Sequence, residues 1–221
     1  MKLRNNTKIA ISCDGGAASG KTTGAKLIAK KYNLKFLSSG LLYRYACYLL
    51  IKNQPRNRIQ FLKKKFRTLN YKKISKIKLQ SEKINFLVSK IAKEKKIRQI
   101  LKKYQINFSK KHKKVCVEGR DISYAILPKA DAKFFFICSL NIASRRRWKE
   151  LKKSNKKIKF KDVKKSLKIR NFNDKNRKHN PLIKSPDSIV IRTDVLNKSQ
   201  MIDKMSKVIS LRLRKKYGIR N

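Results

Sequence analysis

Residues Lys8–Thr23 read KIAISCDGGAASGKTT, and their order decides the fold. Lys8–Cys13 is a short β-branched run that ends at a glycine cluster, the pattern of a buried strand in a parallel sheet. From Gly20 to Tyr32 the apolar residues Ala25, Leu27, Ile28 and Ala29 fall at helical spacing. The unit is strand, glycine loop, helix. Within it, Gly15–Thr22 fits G-x-x-x-x-G-K-[ST]. The glycines let successive backbone N–H groups turn inward onto phosphate oxygens, and the following helix adds its positive end. Lys21 is placed to reach the β- and γ-phosphates, and the Thr22 hydroxyl to ligate Mg²⁺. A glycine-rich turn beside an unrelated lysine is the bland alternative, and the placement between strand and amphipathic helix argues against it. Alone, the loop implies ATP or GTP and no more.

The same alternation continues outward. Leu34–Leu37 leads into Ser38-Ser39-Gly40 and a helix through Leu49, Leu50 and Ile51. Lys114–Val117 is a strand running into Glu118-Gly119-Arg120-Asp121, and Lys133–Cys138 is another, followed by a very basic helix from about Ile142 to Lys153. A lysine-rich turn at Lys152–Lys161, a helix over Phe160–Asn176, a strand at Ser188–Arg192 and a last helix complete the chain. Strands alternating with helices predict a three-layer α/β/α fold with a parallel sheet covered on both faces. From about Asn53 to Lys114 the composition shifts. Pro55 breaks the chain, and Lys/Arg/Asn-rich helical segments follow without a convincing strand. The expected division is a core of 1–54 and 112–221 with a helical insertion at 55–111.

The chain has 221 residues, enough for one α/β core with a modest insertion. Lys and Arg number 62 against 12 Asp and Glu, a formal charge of +50. Such a field attracts polyanions. A nucleic-acid binder concentrates its basic residues on one face, whereas here Lys, with Asn and Ile, is spread over nearly every segment, as in the drift of a very AT-rich genome. A dedicated polyanion site stays open as the alternative, and non-specific RNA affinity follows from the charge either way. The start MKLRNNTKIAIS has no long apolar stretch and no cleavage site, and no apolar run approaches the ~20 residues that span a bilayer. The cysteines Cys13, Cys47, Cys116 and Cys138 lack C-x-x-C spacing. Cys13, Cys116 and Cys138 fall in strand-like runs and Cys47 in a helical one, so buried reduced thiols of a cytoplasmic protein are expected.

No His or Cys arrangement looks nucleophilic, and His112 and His179 sit in basic, polar stretches where solvated side chains are expected. That absence fits an acceptor that is itself a phosphate, since its oxygen is already anionic near neutral pH and needs no general base. Catalysis then rests on positioning and charge neutralisation by Lys21, Mg²⁺ and arginines, whose planar forks meet phosphate oxygens two at a time. Glu118 ends an apolar strand, where a carboxylate can hold the Mg²⁺ shell through water; a plain surface acid is the alternative.

With Asp14–Thr23, the phrase Ser39-Gly40-Leu41-Leu42-Tyr43-Arg44, the phrase Glu118-Gly119-Arg120-Asp121 and the segment Arg170-Asn171-Phe172-Asn173-Asp174-Lys175-Asn176-Arg177 before Pro181-Leu182, the chain resembles the bacterial cytidylate kinases. The resemblance runs in order over nearly the whole chain and is weakest between Asn53 and Ile77. It implies a P-loop kinase fold with a helical insertion for the monophosphate and a short lid at about 145–165. It implies ATP on Gly15, Gly16, Ala17, Ala18, Ser19, Gly20, Lys21, Thr22 and Thr23, lid arginines at Arg145, Arg146 and Arg147, and CMP or dCMP as acceptor. For that acceptor it implies Ser39, Arg98, Asp121 and Arg177 at the base, Ser89, Arg170 and Asp174 at the ribose, and Arg44 with Arg120 at the phosphate. Ser89 and Arg98 keep the family's spacing within SKIAKEKKIR. Positions 170, 174 and 177 also share a face if all three are helical.

The chain departs from the family pattern at several places. Ser38 replaces an aspartate, Gly16 a proline, Asn171 the first aspartate of R-D-x-x-D, Ala143 a lid arginine and Arg192 an aspartate, and the insertion is shorter. Apart from that lid arginine, none of these removes a phosphate-handling group. The resemblance further implies a cytoplasmic monomer without a specific nucleic-acid or membrane partner. Two rivals remain at this point: a P-loop kinase for UMP, AMP or another monophosphate, and a basic nucleic-acid-binding protein with a vestigial loop.

Overall fold

The computed structural model describes residues 7–77, 79, 81–153 and 156–218, without the side chain of Glu82. In chain order the elements are β1 (Ile9–Gly15), α1 (Lys21–Lys31), β2 (Lys35–Ser38), α2 (Ser39–Asn53), α3 (Arg58–Arg67), α4 (Tyr71–Ser75), α5 (Glu82–Ile91) and α6 (Lys95–Lys111). They continue with β3 (Lys114–Gly119), a π-helical turn (Ile122–Ile126), β4 (Ala132–Ile137), α7 (Leu140–Lys152), α8 (Phe160–Asn176), β5 (Ile189–Arg192) and α9 (Lys198–Tyr217). Of the expected lysine-rich turn, Ser154 and Asn155 lie outside the described residues, as does the start Met1–Asn6.

The sheet order is β2-β3-β1-β4-β5, and β1 pairs in parallel with β3 and β4, as β4 does with β5. The chain thus leaves β1 toward one side of the sheet and later returns to the other, which opens a crevice at the carboxyl end of β1. Cys13 lies opposite Glu118 in the β1–β3 register, so the phosphate loop and Glu118 leave the sheet side by side.

The chain forms two compact units, one of Met1–Phe36 with Lys113–Asn221 and one of Leu37–His112. In the first, Ile9, Ile11, Cys13, Cys116, Phe134, Phe136 and Ile191 of the sheet pack with Ala25 and Ile28 of α1 and Met201, Met205 and Ile209 of α9. A smaller cluster joins Ala17 of the loop to Val163 and Leu167 of α8, with Trp148 and Leu151 of α7 against them. The second unit contains all of 55–111 and, past the end of β2, its described elements are helices. Leu42, Ala46, Leu50, Leu62, Phe66, Ile74, Ile97 and Leu101 are buried there.

Six helix starts use neutral side-chain caps. Ser38, Asn57, Asn70, Ser81, Ser139 and Asn197 each accept a backbone N–H with the side chain. Ser38, where the family pattern has an aspartate, accepts from Leu41 N–H at 3.2 Å and so serves the capping role without the charge.

Cys13, Cys47 and Cys116 are buried, as expected, whereas Cys138 falls one residue past β4 and is half-buried. His112 is not simply solvated. Its ring packs edge-on against Phe108 with centroids 4.7 Å apart.

Candidate active site

The loop takes its shape from three residues with positive φ, Gly15 at 157°, Ala18 at 55° and Gly20 at 80°. Crowding adds to this. A Cβ on Gly15 would stand 2.5 Å from the Phe136 carbonyl oxygen, so only glycine fits between β1 and β4 there. Ala18 bears a Cβ in the left-handed region, which strains the backbone. Ala18→Gly is expected to stabilise the fold by roughly 1 kcal/mol, readable as a rise in the thermal midpoint.

Lys21 opens α1 and is 7% exposed. Its Nζ donates to the Gly16 carbonyl at 3.1 Å and stands 3.9 Å from a Glu118 carboxylate oxygen. Burial pushes its pKa down to about 7, with Arg120 and Arg170 adding to the effect and Glu118 and Asp174 opposing it. Thr22 and Thr23 follow in the first turn of α1, Thr22 half-buried and Thr23 exposed. Glu118, which sequence alone leaves open to a surface role, is buried at the end of β3.

Arg120 and Asp121 lie just past β3, ahead of the π-helical turn, and Asp14 holds that turn in place. Its carboxylate accepts from the Ile122 and Ser123 N–H groups, both at 2.8 Å. Burial raises the Asp14 pKa to about 6 against those bonds. Arg120 Nε donates to Asp174 Oδ2 at 2.8 Å. Arg177 Nη2 lies 3.4 Å from Asp121 Oδ1, and its Nη1 lies 3.8 Å from Asp174 Oδ1. The structure therefore gathers Arg120, Asp121, Asp174 and Arg177 into one charge network. Arg170, on α8, is near enough to help hold the Asp174 carboxyl below the usual carboxylate range, after Arg120 and ahead of Arg177.

The expectation of a shared helical face needs one correction. α8 ends at Asn176, and Arg177 is the extended residue that caps it, with φ −70° and ψ 139°. Arg177 reaches the network because the chain turns there. Its Nε donates to the Asn180 carbonyl at 2.6 Å, and Tyr124 donates to the Pro181 carbonyl in the same turn.

Two departures from the family pattern meet in space. Asn171 Oδ1 accepts the Ala17 N–H at 2.9 Å, and a Cβ on Gly16 would stand 3.1 Å from that same oxygen. The room left by Gly16 is what the Asn171 amide occupies. Of the expected lid arginines, all on α7, Arg145 is exposed. Arg147 pairs with Glu150 at 2.7 Å, and Arg146 bonds to Thr193.

In the second unit, Ser39 is buried at the first position of α2. Arg44 Nη1 donates to Asn85 Oδ1 at 2.6 Å, which ties α2 to α5. Arg98 of α6 is 8% exposed, donates to the Ala92 carbonyl at 3.2 Å and stands 5.9 Å from the Tyr43 ring centroid. Ser89 is exposed on α5 and donates to the Phe86 carbonyl. Tyr43 belongs to the phrase that carries the resemblance, whereas Asn85 belongs to no motif and nothing in the sequence singles it out.

A parallel sheet with a glycine loop, a buried lysine and a strand-end carboxylate at the carboxyl edge of its central strands is the framework of a P-loop phosphotransferase. Residues 11–211 match the cytidylate kinase family. A cytidylate kinase of Clostridium botulinum (strain Okra / Type B1) is 36% identical over 213 residues, which covers 91% of this chain and 97% of that protein. The cytidylate kinase of Mesomycoplasma hyopneumoniae (strain 7448) is 34% identical over 216 residues, covering 91% and 93%. The chain belongs to the cytidylate kinase family and is an ATP-dependent kinase. Among solved structures, an uncharacterised protein from Eubacterium ventriosum shares the fold at a TM-score of 0.54 and 14% identity, covering 93% of this chain and 99% of that one. No helix among the described residues is long and apolar enough to cross a membrane.

Proposed function

We propose that this kinase moves the γ-phosphate of ATP onto CMP, and onto dCMP, giving ADP and CDP or dCDP for pyrimidine nucleotide metabolism. The observation that carries this reading is the charge network of Arg120, Asp121, Asp174 and Arg177, which stands past the end of β3 while Glu118 of the same strand faces Lys21 of the loop. In the reaction an oxygen of the acceptor phosphate forms a bond to the γ-phosphorus while the bond from γ-phosphorus to the β-bridging oxygen breaks. The acceptor oxygen is already anionic, so the protein need only align the two phosphates and neutralise their charge.

ATP phosphates are assigned to Gly15–Thr23, with Arg145, Arg146 and Arg147 as lid cations over 145–165. The acceptor is assigned to Ser39, Arg44, Ser89, Arg98, Arg120, Asp121, Arg170, Asp174 and Arg177, with 55–111 as the monophosphate-binding insertion. Mg²⁺ fits the donor set. The hard oxygen donors are the Thr22 hydroxyl in the first turn of α1 and the buried Glu118 carboxylate at the end of β3, with phosphates and water to complete the shell. Thr22 would ligate it and Glu118 would hold its shell through water, and the ion would neutralise phosphate charge. The enzyme is proposed to work as a cytoplasmic monomer.

The test is ADP release with CMP, dCMP, UMP and AMP as acceptors. CMP and dCMP are expected to support the fastest turnover; a preference for AMP over CMP of more than about tenfold would overturn the substrate assignment. RNA binding with a steep salt slope and no turnover with any monophosphate would favour the nucleic-acid reading instead.

A further inference from the structure

Thr193 follows β5, is 5% exposed, and belongs to no motif that the family pattern names. Its Oγ1 donates to the Ser19 carbonyl at 2.9 Å, inside the phosphate loop. Arg146 donates from Nη1 to the same Oγ1 at 2.9 Å and from Nη2 to the Thr193 carbonyl at 2.6 Å. A hydroxyl has one hydrogen and two lone pairs. With its hydrogen on Ser19, Oγ1 is left to accept from Arg146, and a cation at one end of such a chain strengthens the bond at the other. The contact is close-packed, since a Cβ on Gly20 would stand 3.1 Å from Thr193 Cγ2.

Ser19 sits between Ala18 and Gly20, both of which hold positive φ. A tether on the Ser19 carbonyl therefore acts at the point where the loop would otherwise relax. Preorganised N–H groups bind phosphate without first having to be ordered, so a loose loop loses affinity for the triphosphate while the acceptor side is untouched.

We propose that Thr193 is a positioning residue for the ATP loop and that Arg146 acts on the loop through Thr193. This separates Arg146 from Arg145 and Arg147 and deepens the kinase reading above, on which its assignment of the loop to ATP rests. Valine at this position keeps the shape and removes both donor and acceptor.

Thr193→Val is expected to weaken ATP binding about tenfold, with KM for CMP within about twofold of wild type. Thr193→Ser, which keeps the hydroxyl, is expected to restore ATP affinity. Arg146→Met, a change on an exposed side chain, should lower ATP affinity by itself with little change in thermal midpoint, and should add little in the Thr193→Val background. The measurement is calorimetric titration of ATP into each full-length variant without acceptor, followed by steady-state kinetics with CMP.

Wild-type ATP affinity in folded Thr193→Val overturns the proposal, as does an equal rise in both KM values or independent, multiplying losses in the double variant. Should Thr193→Val not fold, unchanged ATP affinity in Arg146→Met overturns it instead. The titration needs no turnover. A wild-type protein inert toward CMP would thus defeat the acceptor assignment and still leave the Thr193 result to be read.

Discussion

Replacing Lys21 by alanine is expected to lower kcat/KM for ATP about a thousandfold, the scale of losing a preorganised cation in a dry site. Lys21 is buried, and its Nζ is held by the Gly16 carbonyl and faced by Glu118. No other cation is held inside the loop in this way among the described contacts.

The pKa of about 7 adds a sharper signature. Without nucleotide, Lys21 loses its proton as pH rises through that value. Triphosphate oxygens beside Nζ favour the ammonium and push the pKa back up. ATP binding should therefore take up close to one proton near pH 8 and almost none near pH 6, where Lys21 is already charged. Calorimetry in two buffers of different ionisation enthalpy measures that uptake. Uptake that persists in Lys21→Ala would assign the titration to another group.

Asp174→Ala is the second large change. Its carboxylate accepts from Arg120 Nε, lies near Arg177 Nη1, and is stabilised as the anion by Arg120, Arg170 and Arg177. Both oxygens are engaged and both partners are largely buried, with side-chain exposures of 15% for Arg120 and 6% for Arg177. Removing the anion leaves these cations facing each other. The expected loss is about 3 kcal/mol of stability, read by urea unfolding. KM for CMP is expected to rise about a hundredfold, because the arginines proposed for the acceptor lose the group that orients them. Asp174→Asn keeps an acceptor for Arg120 without the charge and should fall between. A KM for CMP within about twofold of wild type in Asp174→Ala would remove this network from the acceptor site.

How much of this is legible in the sequence depends on how local each feature is. The loop, its strand and its helix follow from one continuous stretch. The helix over Phe160–Asn176 reads directly from its pattern and matches α8. The charge network is visible only as a set of spaced residues, and Arg177 shows the limit, since its part depends on a chain turn that helical periodicity does not describe.

The contacts that shape the site are the least visible. Thr193 meets Ser19 across 174 positions, Asn171 meets Ala17 across 154, and Asp14 meets Ile122 across 108. Each is an ordinary polar residue in the sequence, and only the parallel sheet with its crossovers brings the partners together. The paired departures at Gly16 and Asn171 look like two unrelated losses until that contact is seen.

The neutral helix caps bear on how such a chain can be interpreted at all. Serine and asparagine hold six of its helix starts, so those places do not depend on a carboxylate. Of only twelve acidic residues in the whole chain, Asp14, Glu118, Asp121 and Asp174 stand at the carboxyl edge of the sheet or bonded to the arginines there. In a background saturated with lysine, a positive residue carries almost no information and a negative one carries a great deal. The scarce anions trace the working edge of the molecule more faithfully than its abundant cations do.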